Sequence, residues 1–132
     1  MIEAYKGRRV DAGTRVFAYR NLHRACWSLK ALSGEHKGKV IAHADDLILF
    51  GCELKVSEAG RQRVLRERRK NVHAGVVGLI SHMDAANHHG KRKLSYNPYK
   101  APSFTVNDEP VGMATHVHLD DQGKAWAIGS VA

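Results

Sequence analysis

Nine histidines stand among 132 residues, and their placement raises acid–base chemistry first. His73 closes the run Arg69-Lys70-Asn71-Val72-His73. A histidine beside cations can cleave RNA without a metal. The imidazole takes the 2′-hydroxyl proton, and a cation stabilises the charge on the phosphorane-like state. Such a cleavage needs a second group as acid, and His116 or His118 can fill that role. The sequence itself brings neither one to His73. The structural alternative for His73 is a hydrogen-bonded histidine at a helix-to-strand junction.

Metal chemistry is the second possibility. In Thr115-His116-Val117-His118-Leu119-Asp120, alternate residues of a strand project from one face. His116, His118 and Asp120 are then a candidate set for zinc or manganese. The spacing resembles the start of the HxHxDH metal motif of metallo-β-lactamase-fold hydrolases. Asp121 stands where that motif has its last histidine, and only eleven residues follow. The chain is also too short for that fold, so solvent-facing hairpin residues are expected there. A second group, His82, Asp84, His88 and His89, falls in a polar loop. Nucleotide-cofactor motifs are missing as well: no GxGxxG follows a strand, and no GxxxxGK[ST] occurs. No cofactor is expected.

Cations supply the broadest signal. Arg63, Arg66, Arg69 and Lys70 recur at three- and four-residue spacings, as on one helix face. Arginine forks bind phosphate oxygens bidentately, and each neutralised phosphate releases counterions. Arg8, Arg9, Arg15, Arg20 and Arg24 form a second basic region, and Lys91-Arg92-Lys93 a third. Tyr19, Trp27, Tyr96, Tyr99 and Phe104 lie near these clusters and could stack on unpaired bases. Trp27 and Phe17 are expected in the core instead. Tyr96 and Tyr99, beside Lys93 and Lys100, are the better stacking candidates. The bland reading of the basic face is a solvated helix surface, partly offset by Glu58 and Glu67.

These residues need elements to hold them. Arg15 to Asn21 alternates and reads as a strand, with Ala25 to Leu32 as its return. Val40 to Ala44 and Leu47 to Val56 follow, joined by Asp45-Asp46. Cys52, Leu54 and Val56 alternate with Glu53 and Lys55, the pattern of a half-buried antiparallel strand. Ser57 is a good N-cap, and the segment from Glu58 to Asn71 reads as one central helix carrying Val64, Leu65 and Val72 on its inner side. Gly75 and Gly78 break that pattern, and Val72 to Ile80 has strand composition. Ser81 to Arg92 reads as a loop, Ser103 to Val106 as a short strand and Asp108-Glu109-Pro110 as a turn. Val111 to Leu119 and Lys124 to Ile128 make a hairpin. The sum is an α+β fold, mostly antiparallel sheet of short strands with one central basic helix at about residues 58–71. An ion pair between Asp45 or Asp46 and Arg61 or Arg68 would be structural.

Length and charge bound the rest. A chain of 132 residues suits one domain, 1–132, with residues 1–13 polar enough to be a flexible arm. Apolar content of 43% and charge of 26% belong to a folded domain. Lys and Arg number 21 against 13 Asp and Glu, a net charge of +8. The excess is local: residues 1–44 are net +6 and residues 101–132 net −3. An anionic partner is the usual meaning of such a balance. The longest apolar stretches, Leu47 to Phe50 and Val76 to Ile80, fall far short of a membrane helix. The first ten residues lack the apolar core of a secretory signal. Cys26 and Cys52 form no CxxC pair and read as free, buried thiols of a cytoplasmic protein.

The block Val56-Ser57-Glu58-Ala59-Gly60-Arg61-Gln62-Arg63-Val64-Leu65-Arg66, continued by Arg69 to Gly75, resembles one in a family of small basic proteins from phages, plasmids and bacterial chromosomes. Tyr96-Asn97-Pro98-Tyr99 and the stretch to Phe104 resemble the same family, whose activity is uncharacterised. The resemblance implies a mobile-element or bacterial setting, where acting on nucleic acid and binding a host defence complex are both common. The expectation is therefore a binder of nucleic acid, DNA or RNA, that contacts phosphates through the helix and the N-terminal arginines. The alternatives are an inhibitor that binds a host protein or ribonucleoprotein complex, and a metal-independent RNase using His73.

Overall fold

Three strands form with the bounds expected from the sequence, Arg15–Asn21, Val40–Ala44 and Leu47–Val56, in a computed structural model that describes residues 2–81 and 90–132. In chain order the elements are β1 (Ile2–Ala4), β2 (Arg15–Asn21), β3 (Cys26–Ala31), β4 (Val40–Ala44), β5 (Leu47–Val56), α1 (Glu58–Glu67) and β6 (Ala74–Ile80). They continue with β7 (Arg92–Leu94), β8 (Phe104–Val106), β9 (Glu109–Val111), β10 (Met113–Leu119) and β11 (Ala125–Val131). Among the described residues, nine strands make one sheet in the order β1-β4-β3-β2-β6-β5-β10-β11-β7, and β8 and β9 pair separately. Every pairing in the larger sheet is antiparallel.

The period of two puts Val16 and Ala18 of β2, Leu29 of β3, Leu49 of β5 and Val117 and Leu119 of β10 into one hydrophobic cluster. Phe104, Val106 and Val111 of the β8–β9 hairpin join it. The sheet must curl to close over this core. Trp27 on β3 donates its indole N–H to the Asp120 carbonyl at 2.8 Å, although β3 and β10 stand four places apart in the sheet. The bend is visible in β5, whose register against β6 slips between Phe50 and Glu53. Gly51 sits inside that slip at φ 59°, a bulge conformation that only glycine takes without cost.

Several sequence expectations need correction. The segment 1–13, read as an arm, contains β1, which pairs Ile2 with Ala44 and Ala4 with Ala42. Tyr5 then donates its N–H to Ile41. The helix ends at Glu67, not near residue 71. Arg68 adopts a left-handed conformation, φ 53°, and its N–H closes the last turn on the Val64 carbonyl. Val64 is the one buried residue of the helix, and Val72 lies outside it, 38% exposed. Gly75 and Gly78 lie buried inside β6, the strand expected after the helix, and a β-carbon on Gly75 would stand 2.4 Å from the Ala18 carbonyl oxygen. The turn placed at Asp108-Glu109-Pro110 falls one residue earlier. Asn107 and Asp108 both have positive φ, the signature of a two-residue type I′ hairpin, and Pro110 is inside β9. Phe17 is only half-buried, on the outer face with Tyr19, while Trp27 is in the core as expected. No helix among the described residues is long and apolar enough to cross a membrane.

Candidate functional site

The connection between β5 and β6 builds the site. Ser57 at the end of β5 donates its N–H to His73 at 2.7 Å, so residues 58–72 form an excursion closed at its base. The Ser57 hydroxyl accepts from Gly60 N–H, and Glu58 supplies an acid to the first turn. After Arg68 the chain returns to the sheet through Arg69, Lys70, Asn71 and Val72 without regular secondary structure. A second segment faces this one. Arg61, whose side chain is 16% exposed, donates through Nε to the Pro98 carbonyl at 3.0 Å and through Nη1 to Glu58 at 3.1 Å. That strut ties the 95–99 turn to the helix.

His73 and Tyr96 join the two segments below the strut. The Asn71 carbonyl can only accept, so His73 Nδ1 carries the proton in their 2.8 Å bond. His73 Nε2 is then the acceptor for the Tyr96 hydroxyl at 2.5 Å. Burial raises the Tyr96 pKa, with Arg61 opposing and Glu58 adding to the shift, so the phenol keeps the proton it donates. Tyr96 also packs on Phe104, ring centres 5.3 Å apart.

Between these segments lies a cleft of about 610 Å³. Arg20, Arg68, Arg69 and Lys70 line it, together with His73, Tyr96 and Tyr99. Its lining holds no carboxylate. Arg20 comes from the far end of β2, where its guanidinium lies over the Trp27 ring at 5.3 Å. Its Nη1 is buried without a hydrogen-bond partner. Arg20 and Tyr96 also line an adjoining hollow of about 440 Å³ that contains Lys93 and Lys124. Arg63, Arg69 and Lys70 border a smaller hollow with Glu67, which shares Val64, Arg69, Lys70 and Asn71 with the cleft. Candidates from all three basic regions thus reach a connected set of depressions.

The remaining candidates lie elsewhere. Arg66 is exposed in the last turn of α1. Arg8 and Arg24 flank the Tyr5 ring at 5.9 and 5.7 Å, and Arg8 also donates to the Val40 carbonyl. Arg9 pairs with Asp11 at 2.6 Å on the surface. Arg92 donates to the Gly129 carbonyl. Lys91 donates to Nδ1 of His118, which is 5% exposed, and His118 Nε2 donates to Asp46 at 3.1 Å. Asp46 therefore partners His118, and Arg61 partners Glu58, in place of the expected link between them.

The histidines do not converge in their bonding: His73 and His118 have separate partners, and His116 neighbours Phe50 at 6.3 Å. Asp120 does not join His116 and His118 as a ligand. Its carboxylate accepts from the Trp126 indole and from the N–H groups of Gln122 and Lys124, which organises the β10–β11 turn. Burial pushes its pKa up, but these bonds outweigh that and hold it below the usual aspartate value. No group of three or more ligand residues is found among the described residues. The cluster of His82, Asp84, His88 and His89 lies outside the described residues. Phe104 and Trp27 are buried and offer no free face for stacking. Three further residues line the cleft: Arg68, expected in an ion pair, Val72, expected on the inner side of the helix, and Leu22, which no expectation covered.

The family described as Mycobacterium phage L5 gene 82 protein matches residues 9–127. The Gene 82 protein of Mycobacterium phage L5 is 40% identical over 117 residues, covering 83% of this chain and 92% of that protein. No solved structure matches the chain.

Proposed function

The chain belongs to the family of the Mycobacterium phage L5 gene 82 protein, and from that premise we propose a phage protein that binds nucleic acid, without catalysis, through the cleft between α1 and the 95–99 turn. One observation carries the reading: four cations from two distant parts of the chain converge on a single cleft whose lining has no carboxylate. Uncompensated like charges repel, and folding gains nothing by gathering them. A polyanion relieves that repulsion, and arginine forks match its phosphate oxygens. The α1 arginines Arg63 and Arg66 extend the basic surface beyond the cleft. The His73–Tyr96 pair is read here as a scaffold: its two hydrogen bonds tie the 69–73 segment to the 95–99 turn.

Filter binding or fluorescence anisotropy at stepped salt tests this. Affinity for DNA or RNA should fall steeply as salt rises. Arg69→Gln and Lys70→Gln should each weaken binding and lower the salt slope by roughly one. Failure to retain any DNA or RNA at low salt would overturn the reading. Recovery of a nuclease-resistant complex with a host protein in its place would assign the surface to a protein partner.

A further inference from the structure

We infer that the cleft takes single-stranded nucleic acid, with an unpaired base against Tyr99 and the adjoining phosphate drawn toward Arg20. This rests on the nucleic-acid reading above and adds the form of the strand. Four large apolar side chains stand exposed among the described residues, Leu22, Val72, Tyr99 and Met113. Three of them, Leu22 at 56%, Val72 at 38% and Tyr99 at 60%, line this one cleft. Apolar surface gains nothing from a phosphate. A duplex hides the faces of its bases and presents phosphates and groove edges, whereas a single strand offers a free base face to an aromatic ring. The cleft therefore combines an apolar wall for a base with cations for the chain that carries it.

Arg20 supplies the second observation. Its guanidinium is held over Trp27, and its Nη1 is buried with no acceptor. An unpaired buried donor costs free energy, which an anion reaching it would recover. Arg20 sits where the main cleft meets the hollow of Lys93 and Lys124. A flexible strand can follow that recess, and a stiff duplex cannot bend into it. The 610 Å³ volume falls in the range of small-ligand sites, suited to a nucleotide or two.

The test compares one labelled mixed-sequence oligonucleotide, free and annealed to its complement, as DNA and as RNA, by anisotropy. The wild-type protein should prefer the single strand by about tenfold or more. Tyr99→Ala should weaken single-strand binding roughly 5- to 150-fold and be rescued by Tyr99→Phe. Tyr99 is exposed, so the variant folds; circular dichroism checks this. Equal affinity for the duplex, or an unaffected Tyr99→Ala, would overturn the inference and leave the broader reading standing. Loss of binding to both forms in the wild type would remove both.

Discussion

Replacing Gly60 by alanine sets two effects of opposite sign against each other. Glycine inside a helix costs about 0.8–1.0 kcal/mol relative to alanine, so propensity alone predicts a more stable protein. The contact geometry opposes it. A β-carbon at Gly60 would stand 2.5 Å from the β-carbon of His73, closer than unbonded carbons come. His73 cannot rotate away, because its β-carbon is fixed to the backbone whose carbonyl accepts from Ser57. The helix or the entry to β6 must shift. Overpacking of this kind costs typically 1–3 kcal/mol, and a contact between backbone-fixed atoms belongs near the top of that range. The net result is a loss of about 1–2 kcal/mol, or a melting temperature lowered by roughly 3–10 °C for a domain of this size. Displacing His73 also disturbs the Tyr96 bond, so binding at the cleft should weaken. A double-mutant cycle isolates the cause. In a His73→Gly background the opposing β-carbon is gone, and Gly60→Ala should there raise the melting temperature. The reasoning is refuted if Gly60→Ala stabilises the otherwise wild-type protein.

Arg68→Gly should separate stability from binding. It relieves a left-handed residue, worth about 1 kcal/mol, and removes a cleft cation, so the melting temperature rises while affinity for an oligonucleotide falls; a lower melting temperature would contradict the strain. His43 gives a pH dependence. Burial lowers its pKa, Arg24 lowers it further and Glu3 partly opposes, so the folded state favours the neutral ring that bonds Ser28. The unfolded chain then binds more protons below about pH 6.5, and urea midpoints should decline as pH falls from 7 to 5. That part of the decline should vanish in His43→Gln, and an NMR titration placing His43 above its ordinary value would reverse the sign. Burial pushes the Cys52 thiol up to about 12, so iodoacetamide should spare it in the native protein at pH 8 and modify it in urea, as read by peptide mass spectrometry. Rapid native modification of Cys52 would disprove its burial.

Much of the sheet is legible because β2 and the second half of β5 carry their own alternation, and the Asp45-Asp46 turn marks where β4 ends and β5 begins. The parts that were not legible depend on distant partners. β1 is three residues long, and only its ladder with β4 makes it a strand. The end of α1 has no glycine or proline to mark it: Arg68 stops the helix by taking a conformation that arginine seldom adopts. Asp120 was grouped with His116 and His118 on strand period alone, but β10 ends at Leu119 and the period ends with it. For the site, Arg69, Lys70, His73, Tyr96 and Tyr99 were recognisable as residue types in separate segments. Their convergence depends on Arg61 reaching Pro98 and on the β2–β6 ladder, which sets Arg20 beside the start of β6. Neither leaves a local signature.

The sheet order also sets a timetable for synthesis. β2, β3 and β4 are neighbours in both chain and sheet, so they can pair as soon as they emerge. The other side of β2 must wait for β6, which begins at Ala74, about fifty residues after β2 ends at Asn21. At about 5–20 residues per second, that is a delay of roughly 3–10 s. β5 waits through a similar interval for β10, which starts at Met113. During each wait a strand of the future sheet centre is an open edge beside unburied valines and leucines. Such an edge is a template for pairing with another nascent chain. The yield of soluble protein should therefore depend on how fast the ribosome delivers β6 and β10, and synonymous slow codons between residues 57 and 73 should lower it without changing a single side chain.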